Sequence, residues 1–188
     1  MSDWTPDLDL TADEAPIEDP LTGWDPHGPY PDPHPDQTVI TAHNIDGSTT
    51  TYVDMASDGD ADVVEYDKDS DGHADLTYTD KDNDGVLERL LVDADDDGHY
   101  DVEYRDTNLD GAYDYATADT DGDHLNDIAI ADTDYDGGVD TLGVDTDGDG
   151  FSNVVTKDMD EDGLVDLIAK DTDGDGVLDS VTYVDPVV

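Results

Sequence analysis

From Asp54 onward the sequence predicts an all-β fold, a parallel β-solenoid in which 13-residue units pair into coils of ~26 residues. Three observations predict it. Aspartate recurs at every thirteenth position, at Asp54, Asp67, Asp80, Asp93, Asp106, Asp119, Asp132, Asp145, Asp158 and Asp171, and opens ten units. Four residues close each unit (VVEY, LTYT, IAIA, VVTK, LIAK). At ~3.3 Å per residue they span a short strand and leave no room for a helix. The apolar column within those segments also alternates. It is position 11 in the units opening at 54, 80, 106, 132 and 158 (Val64, Leu90, Ala116, Leu142, Ile168), and position 10 in the others (Leu76, Val102, Ile128, Val154), where the last unit has Ser180. A shift of one residue moves a strand's apolar side to the opposite face. The pattern therefore reads as a coil of two strands and two turns, repeated along a stack, with two short parallel sheets facing each other across a thin core.

Two segments precede the repeats. Residues 1–36 hold all but one of the nine prolines, with scattered acids and the only two tryptophans, Trp4 and Trp24. That composition predicts an extended acidic tail. Residues 37–53 place QTVITAH and STTTYV on either side of NIDG, a β-hairpin signal, and read as a cap on the repeat body of residues 54–188.

Charge limits the functions open to the chain. Asp and Glu number 54 against 6 Lys and Arg, a formal charge of −48 over 188 residues. A bare chain of this kind repels itself and resists collapse, so a counter-ion is expected. Nucleic-acid binding is not expected, because phosphate contacts need Lys and Arg. No apolar run approaches membrane-spanning length, which argues against membrane insertion, and MSDWTPDLDL lacks the features of a signal peptide. The absence of cysteine removes disulfides, thiolate metal sites and cysteine nucleophiles.

The acids are placed in columns. Position 1 is the opening Asp of each unit. Position 3 is Asp69, Asp82, Asp95, Asn108, Asp121, Asp134, Asp147, Asp160 and Asp173, with Ala56 in the first unit. Position 5 is Asp58, Asp71, Asp84, Asp97, Asp110, Asp123, Asp136, Asp149, Asp162 and Asp175. Position 9 is Asp62, Asp75, Glu88, Asp101, Asp114, Asp127, Asp140, Asn153, Asp166 and Asp179. Position 6 is Gly in every unit but one, where His124 stands. The template D-x-D-x-D-G-x-x-D is the front part of a calcium loop. Ca²⁺ takes six to eight hard oxygens, and a sharp turn at position 6 lets the side chains of 1, 3 and 5 converge on one point with the carbonyl of 7, while position 9 contributes directly or through water. About one Ca²⁺ per unit is the expected cofactor. The bidentate Glu that completes an EF-hand at position 12 is missing, so the last ligand is expected from another unit.

At loop level, residues 54–183 resemble repeats-in-toxin β-rolls, which bind calcium in the turns of a parallel solenoid. The loops also resemble thrombospondin type 3 repeats and the DxDGDGxxD loops of integrin-like propellers. The resemblance implies calcium bound in the turns of the repeat.

No catalytic constellation stands out, because Asp pairs recur in every unit, and the chain reads as a non-enzyme. His73 and His99 read as exposed loop residues, and Tyr78 and Tyr104 as a cross-strand ladder. The expected function is that of a calcium-ordered structural, adhesive or interaction module, secreted or at the cell surface. It would contact a protein partner, or itself, through the solenoid ends. The alternative is a cytoplasmic calcium buffer, or a nucleic-acid-like polyanion that binds a basic partner.

Overall fold

Eight or nine residues connect each strand of the repeat to the next, and within one sheet a connection that short joins antiparallel neighbours. A parallel connection has to carry the chain back across the sheet and needs a dozen residues or more, whereas a short loop can only fold the chain back beside itself. The computed structural model describes residues 37–184 and places twelve strands in one sheet: β1 (Thr38–His43), β2 (Thr49–Asp54), β3 (Val63–Asp67), β4 (Leu76–Thr79), β5 (Arg89–Val92), β6 (Val102–Arg105), β7 (Tyr115–Ala118), β8 (Ile128–Ala131), β9 (Thr141–Val144), β10 (Val154–Lys157), β11 (Leu167–Lys170) and β12 (Ser180–Tyr183). They lie in chain order, each antiparallel to its neighbours.

The all-β expectation holds. The parallel solenoid and its facing sheets are replaced by a single antiparallel meander. The expected ~26-residue coil is a pair of antiparallel hairpins, and its two turns lie on opposite edges of the sheet. The first hairpin, β1 and β2, is joined by a turn in which Asn44 N–H donates to the Ser48 carbonyl at 2.8 Å, and β2 pairs directly with β3. The proline-rich segment 1–36, with Trp4 and Trp24, and the Asp185–Pro186 pair lie outside the described residues.

The alternating apolar column has a different cause from the one expected. Val64 lies opposite Tyr78, and Leu90 opposite both Tyr78 and Tyr104. Position 11 of one strand thus faces position 12 of the next, and position 10 faces position 13. Positions 11 and 13 of one set therefore share a face with positions 10 and 12 of the other. The switch of column keeps one face apolar through the whole meander. From β3 to β11 that face carries Val64, Tyr66, Leu76, Tyr78, Leu90, Val92, Val102, Tyr104, Ala116, Ala118, Ile128, Ile130, Leu142, Val144, Val154 and Ile168, with Thr156 and Lys170 as its polar members.

The opposite face holds the deepest burial. Val53, Val63, Leu91, Val155, Leu167 and Ala169 lie there beside the buried Thr51, Thr77, Thr117 and Thr141. Loop side chains fold over it: Tyr100 Oη is 2.8 Å from Thr77 Oγ1, and Leu178 packs on Val155, Leu167 and Ala169. Gly143 is required by this cover, because a Cβ there would meet Ser152 Oγ at 2.6 Å. The buried Glu103 accepts from Arg89 Nε and Arg105 Nε. Burial pushes its carboxyl up, but those guanidinium bonds outweigh burial and leave it below its ordinary value.

Among the described residues no helix is long and apolar enough to cross a membrane.

Candidate metal centres

Every Asp-rich segment becomes a nine-residue loop whose first and last ligand positions form its neck. The position 9 N–H closes the loop onto the last carbonyl of the preceding strand, as in Asp101 to Val92 at 2.8 Å and Asp114 to Arg105 at 3.0 Å. The position 1 N–H reaches a neighbouring loop, as in Asp80 to the Asp62 carbonyl at 2.8 Å and Asp93 to the Asp75 carbonyl at 2.9 Å. The neck residues Asp80, Asp93, Asp106, Asp132, Asp145, Asp62, Glu88, Asp140, Asn153 and Asp166 are buried, whereas most residues at positions 3 and 5 are exposed at the loop tips. A deep anchor with an open mouth suits an ion that enters from solvent.

Backbone N–H groups aim each carboxylate. Asp145 Oδ1 accepts from Gly148 N–H at 2.9 Å and Asp145 Oδ2 from Gly150 N–H at 2.7 Å, and Asp80 accepts from Asn83 and Gly85 in the same way. The position 3 side chain accepts from the N–H of position 5, as Asp71 to Asp69 at 3.1 Å. The position 5 side chain accepts from position 7, as Leu125 to Asp123 at 2.9 Å. The position 9 side chain reaches back to position 2: Lys81 N–H donates to Glu88 Oε2 at 2.8 Å, and Thr146 donates through both N–H and Oγ1 to Asn153 Oδ1.

These bonds demand positive φ at two places in each loop. Position 6 is the expected one: His124 takes it at φ 70° and donates its N–H to Asp119 Oδ2 at 2.7 Å. Position 4 is the second. Gly122, Gly148 and Gly174 adopt it, and so do Ser57, Ser70, Asn83, Asp96, Leu109, Tyr135 and Glu161, with φ between 58° and 64°. Glycine at position 4 of three units meets this demand without strain.

The loops bring side-chain oxygens together. Asp80, Asp82, Asp84 and Glu88 form one group, and Asp67–Asp69–Asp71, Asp93–Asp95–Asp101, Asp119–Asp121–Asp123 and Asp132–Asp134–Asp136 form others, with three more besides. Within each group the oxygens lie within 4.8 Å of one another. Two oxygens bound to one Ca²⁺ at ~2.3–2.6 Å can be at most ~5 Å apart, so the spacing fits one shared cation. The opening loop has Ala56 at position 3 and lacks a donor there. In the 93–101 loop the group includes Asp101 and not Asp97.

Crowded carboxylates raise one another's proton affinity. Asp123 beside Asp121 pushes its carboxyl up, and Asp175 does the same to Asp173. For Asp95, loss of hydration acts first and the neighbours Asp97 and Asp101 add to it.

Sequence reasoning missed a contact between loops. Loops on the same edge are two strands apart, ~9.6 Å, and position 4 of one leans on the acids of the loop before it. Asn83 Nδ2 donates to Asp58 Oδ2 at 2.7 Å. The charge on Asp69 pushes the Asp96 carboxyl up, with loss of hydration and Asp71 contributing. Glu161 forms side-chain hydrogen bonds with Asp134 and Asp136 and is pushed up to about 7. His124 likewise brings its ring within 4.1 Å of the His99 ring. The sequence does hold a signal for this, in the amide and acids at position 4 of three units, but taken alone that column marks only the period.

Fold and loops together define a class: an all-β repeat protein with several Asp-rich groups that could hold a metal ion. No protein-family model, curated protein or solved structure matches the chain.

Proposed function

We propose that this chain is a non-enzymatic calcium-binding repeat protein whose β-meander is ordered by Ca²⁺. It would serve as a structural or adhesive module outside the cell or at its surface. The observation that carries the reading is the recurrence of one loop geometry, in which backbone N–H groups aim three or four side-chain oxygens at a common point. Oxygen-only donors at this spacing favour a hard cation over zinc or copper. When bound, Ca²⁺ supplies charge: each ion cancels two negative charges in a chain of −48 and stabilises the folded state by mass action. The chain's own residues supply the frame, with the neck acids held by strand bonds and the tip acids aimed by the backbone N–H groups of their own loop.

The test is a calcium titration of chelator-treated protein followed by circular dichroism and calorimetry. A β signal that grows with calcium, with site affinities of ~10⁻⁴ to 10⁻³ M, is the expected result for an extracellular module. Full β signal in excess chelator would overturn it. Sites far tighter than this range would favour a calcium buffer.

A further inference from the structure

The apolar face of the sheet is a surface without an acid. In a chain with 54 acidic residues, none stands on that face between β3 and β11, and its one charge is Lys170. The strand residues Glu65, Arg89, Glu103, Arg105 and Lys157 all lie on the opposite face. Among the described residues no second sheet packs across the acid-free face, which is covered only by loop side chains such as Tyr113, whose ring is 5.8 Å from that of Tyr104. Tyr52, Tyr104, Ile128 and Leu142 remain 42%, 37%, 36% and 39% exposed on it. Where the face meets the 106–114 and 132–140 loops is a hollow of about 320 Å³, lined by Tyr104, Tyr113 and Ile130 and by the loop acids Asp110, Asp132 and Asp136.

We infer that this face is a self-association surface, and that a second copy of the chain packs on it face to face as a two-layer sandwich. Size supports this. Nine strands at ~4.8 Å and four residues at ~3.4 Å make a strip of ~43 by ~13 Å, so a pair buries ~1,100 Å², just above the ~1,000 Å² that a specific interface should clear. Chemistry supports it as well. An acid-free apolar strip flanked by acidic edges disfavours an acidic partner and offers a basic one nothing at its centre, whereas another copy presents the same strip. Such a contact is isologous, and two sheets of like twist pack aligned at about −30° with side chains interdigitating. The acidic loops of the two copies come near each other at the rims. Calcium should therefore strengthen the pairing, a dependence that rests on the function proposed above.

The experiment is sedimentation velocity of the full chain in calcium, with circular dichroism on the same samples. The expected mass is twice the chain mass of 20.3 kDa for the native chain and for Val181→Glu, which changes the exposed opposite face of β12. Leu142→Glu and Ile128→Glu should be monomeric with an unchanged β signal. A native chain that is monomeric while its β signal is full would overturn the inference. So would a dimer that survives Leu142→Glu and Ile128→Glu but is lost in Val181→Glu, since that would place association at the β12 edge. If calcium produces no β signal, the calcium reading fails separately, and the mass is then read under whichever condition gives a full β signal.

Discussion

Asn83 donates a 2.7 Å hydrogen bond to Asp58 Oδ2 from the next loop along the same edge of the sheet. The bond neutralises part of a crowded acidic site with an amide instead of an ion. With the Asp60 N–H acting first and Asn83 second, it holds the Asp58 carboxyl below its ordinary value. Asn83→Asp retains a residue that tolerates its φ of 62° but replaces a donor with a like charge. The variant should melt at a lower temperature than the native chain in chelator and at an equal or higher one in saturating calcium. The sign reversal between the two thermal scans is the measurement. A variant less stable by the same amount in both would show that the introduced carboxylate does not help hold the ion.

Glu161 sets a pH dependence for the metal-free chain. Its hydrogen bonds to Asp134 and Asp136 raise it from 4.5 to about 7 in the folded state, so the folded chain binds this proton more tightly than the unfolded one. The resulting stabilisation is complete below the ordinary carboxyl range and is lost as pH rises through about 7. In chelator the protein should therefore be more structured near pH 5 than near pH 8, and Glu161→Gln should flatten that slope in a pH series of melting curves.

Leu109 occupies a left-handed position at φ 62° with its side chain 58% exposed. The conformation costs an L-residue ~1–2 kcal/mol, and glycine's greater freedom in the unfolded chain offsets part of the gain from removing it. Leu109→Gly should stabilise the protein by ~0.5–1 kcal/mol in chemical denaturation, and Leu109→Asn by a similar amount.

The two faces should respond unequally to truncation. Val155 is fully buried against Leu167, Ala169 and Leu178, so Val155→Ala should cost ~2 kcal/mol. Leu142 is 39% exposed on the opposite face, and Leu142→Ala should cost under ~1 kcal/mol in the monomer. Denaturation at low protein concentration checks both. A larger loss at Leu142, appearing only at high concentration, would reflect the face-to-face contact.

Removing one loop acid tests the coupling along an edge. Asp123 sits in the 119–127 loop, whose neighbour on the same edge is linked neck to neck by Asp145 N–H to the Asp127 carbonyl at 2.8 Å. Because each repeat is stabilised by its neighbours, Asp123→Ala should weaken calcium binding at more than one site in calorimetry. Loss of one site alone, with the others unchanged, would make the loops independent.

The thirteen-residue unit, its division into nine loop positions and four strand positions, and the glycine turn at position 6 were all legible in the sequence, because each follows from local chemistry. A four-residue segment such as Ile128–Ala131 can only be a strand, and Asp145 with Gly150 encodes its own turn. The change of apolar column between Val64 and Leu76 was legible too, but it is consistent with two folds: strands of alternating facing in a coil, or antiparallel neighbours in one sheet. Strand direction depends on which strand receives the next set of backbone hydrogen bonds, and pairs such as Val64 with Tyr78 exist only once the chain has folded back. The reach of Asn83 and Glu161 into neighbouring loops was likewise decided by tertiary structure, because it brings together residues of loops whose openings are twenty-six positions apart, and local turn chemistry does not record which loops become neighbours.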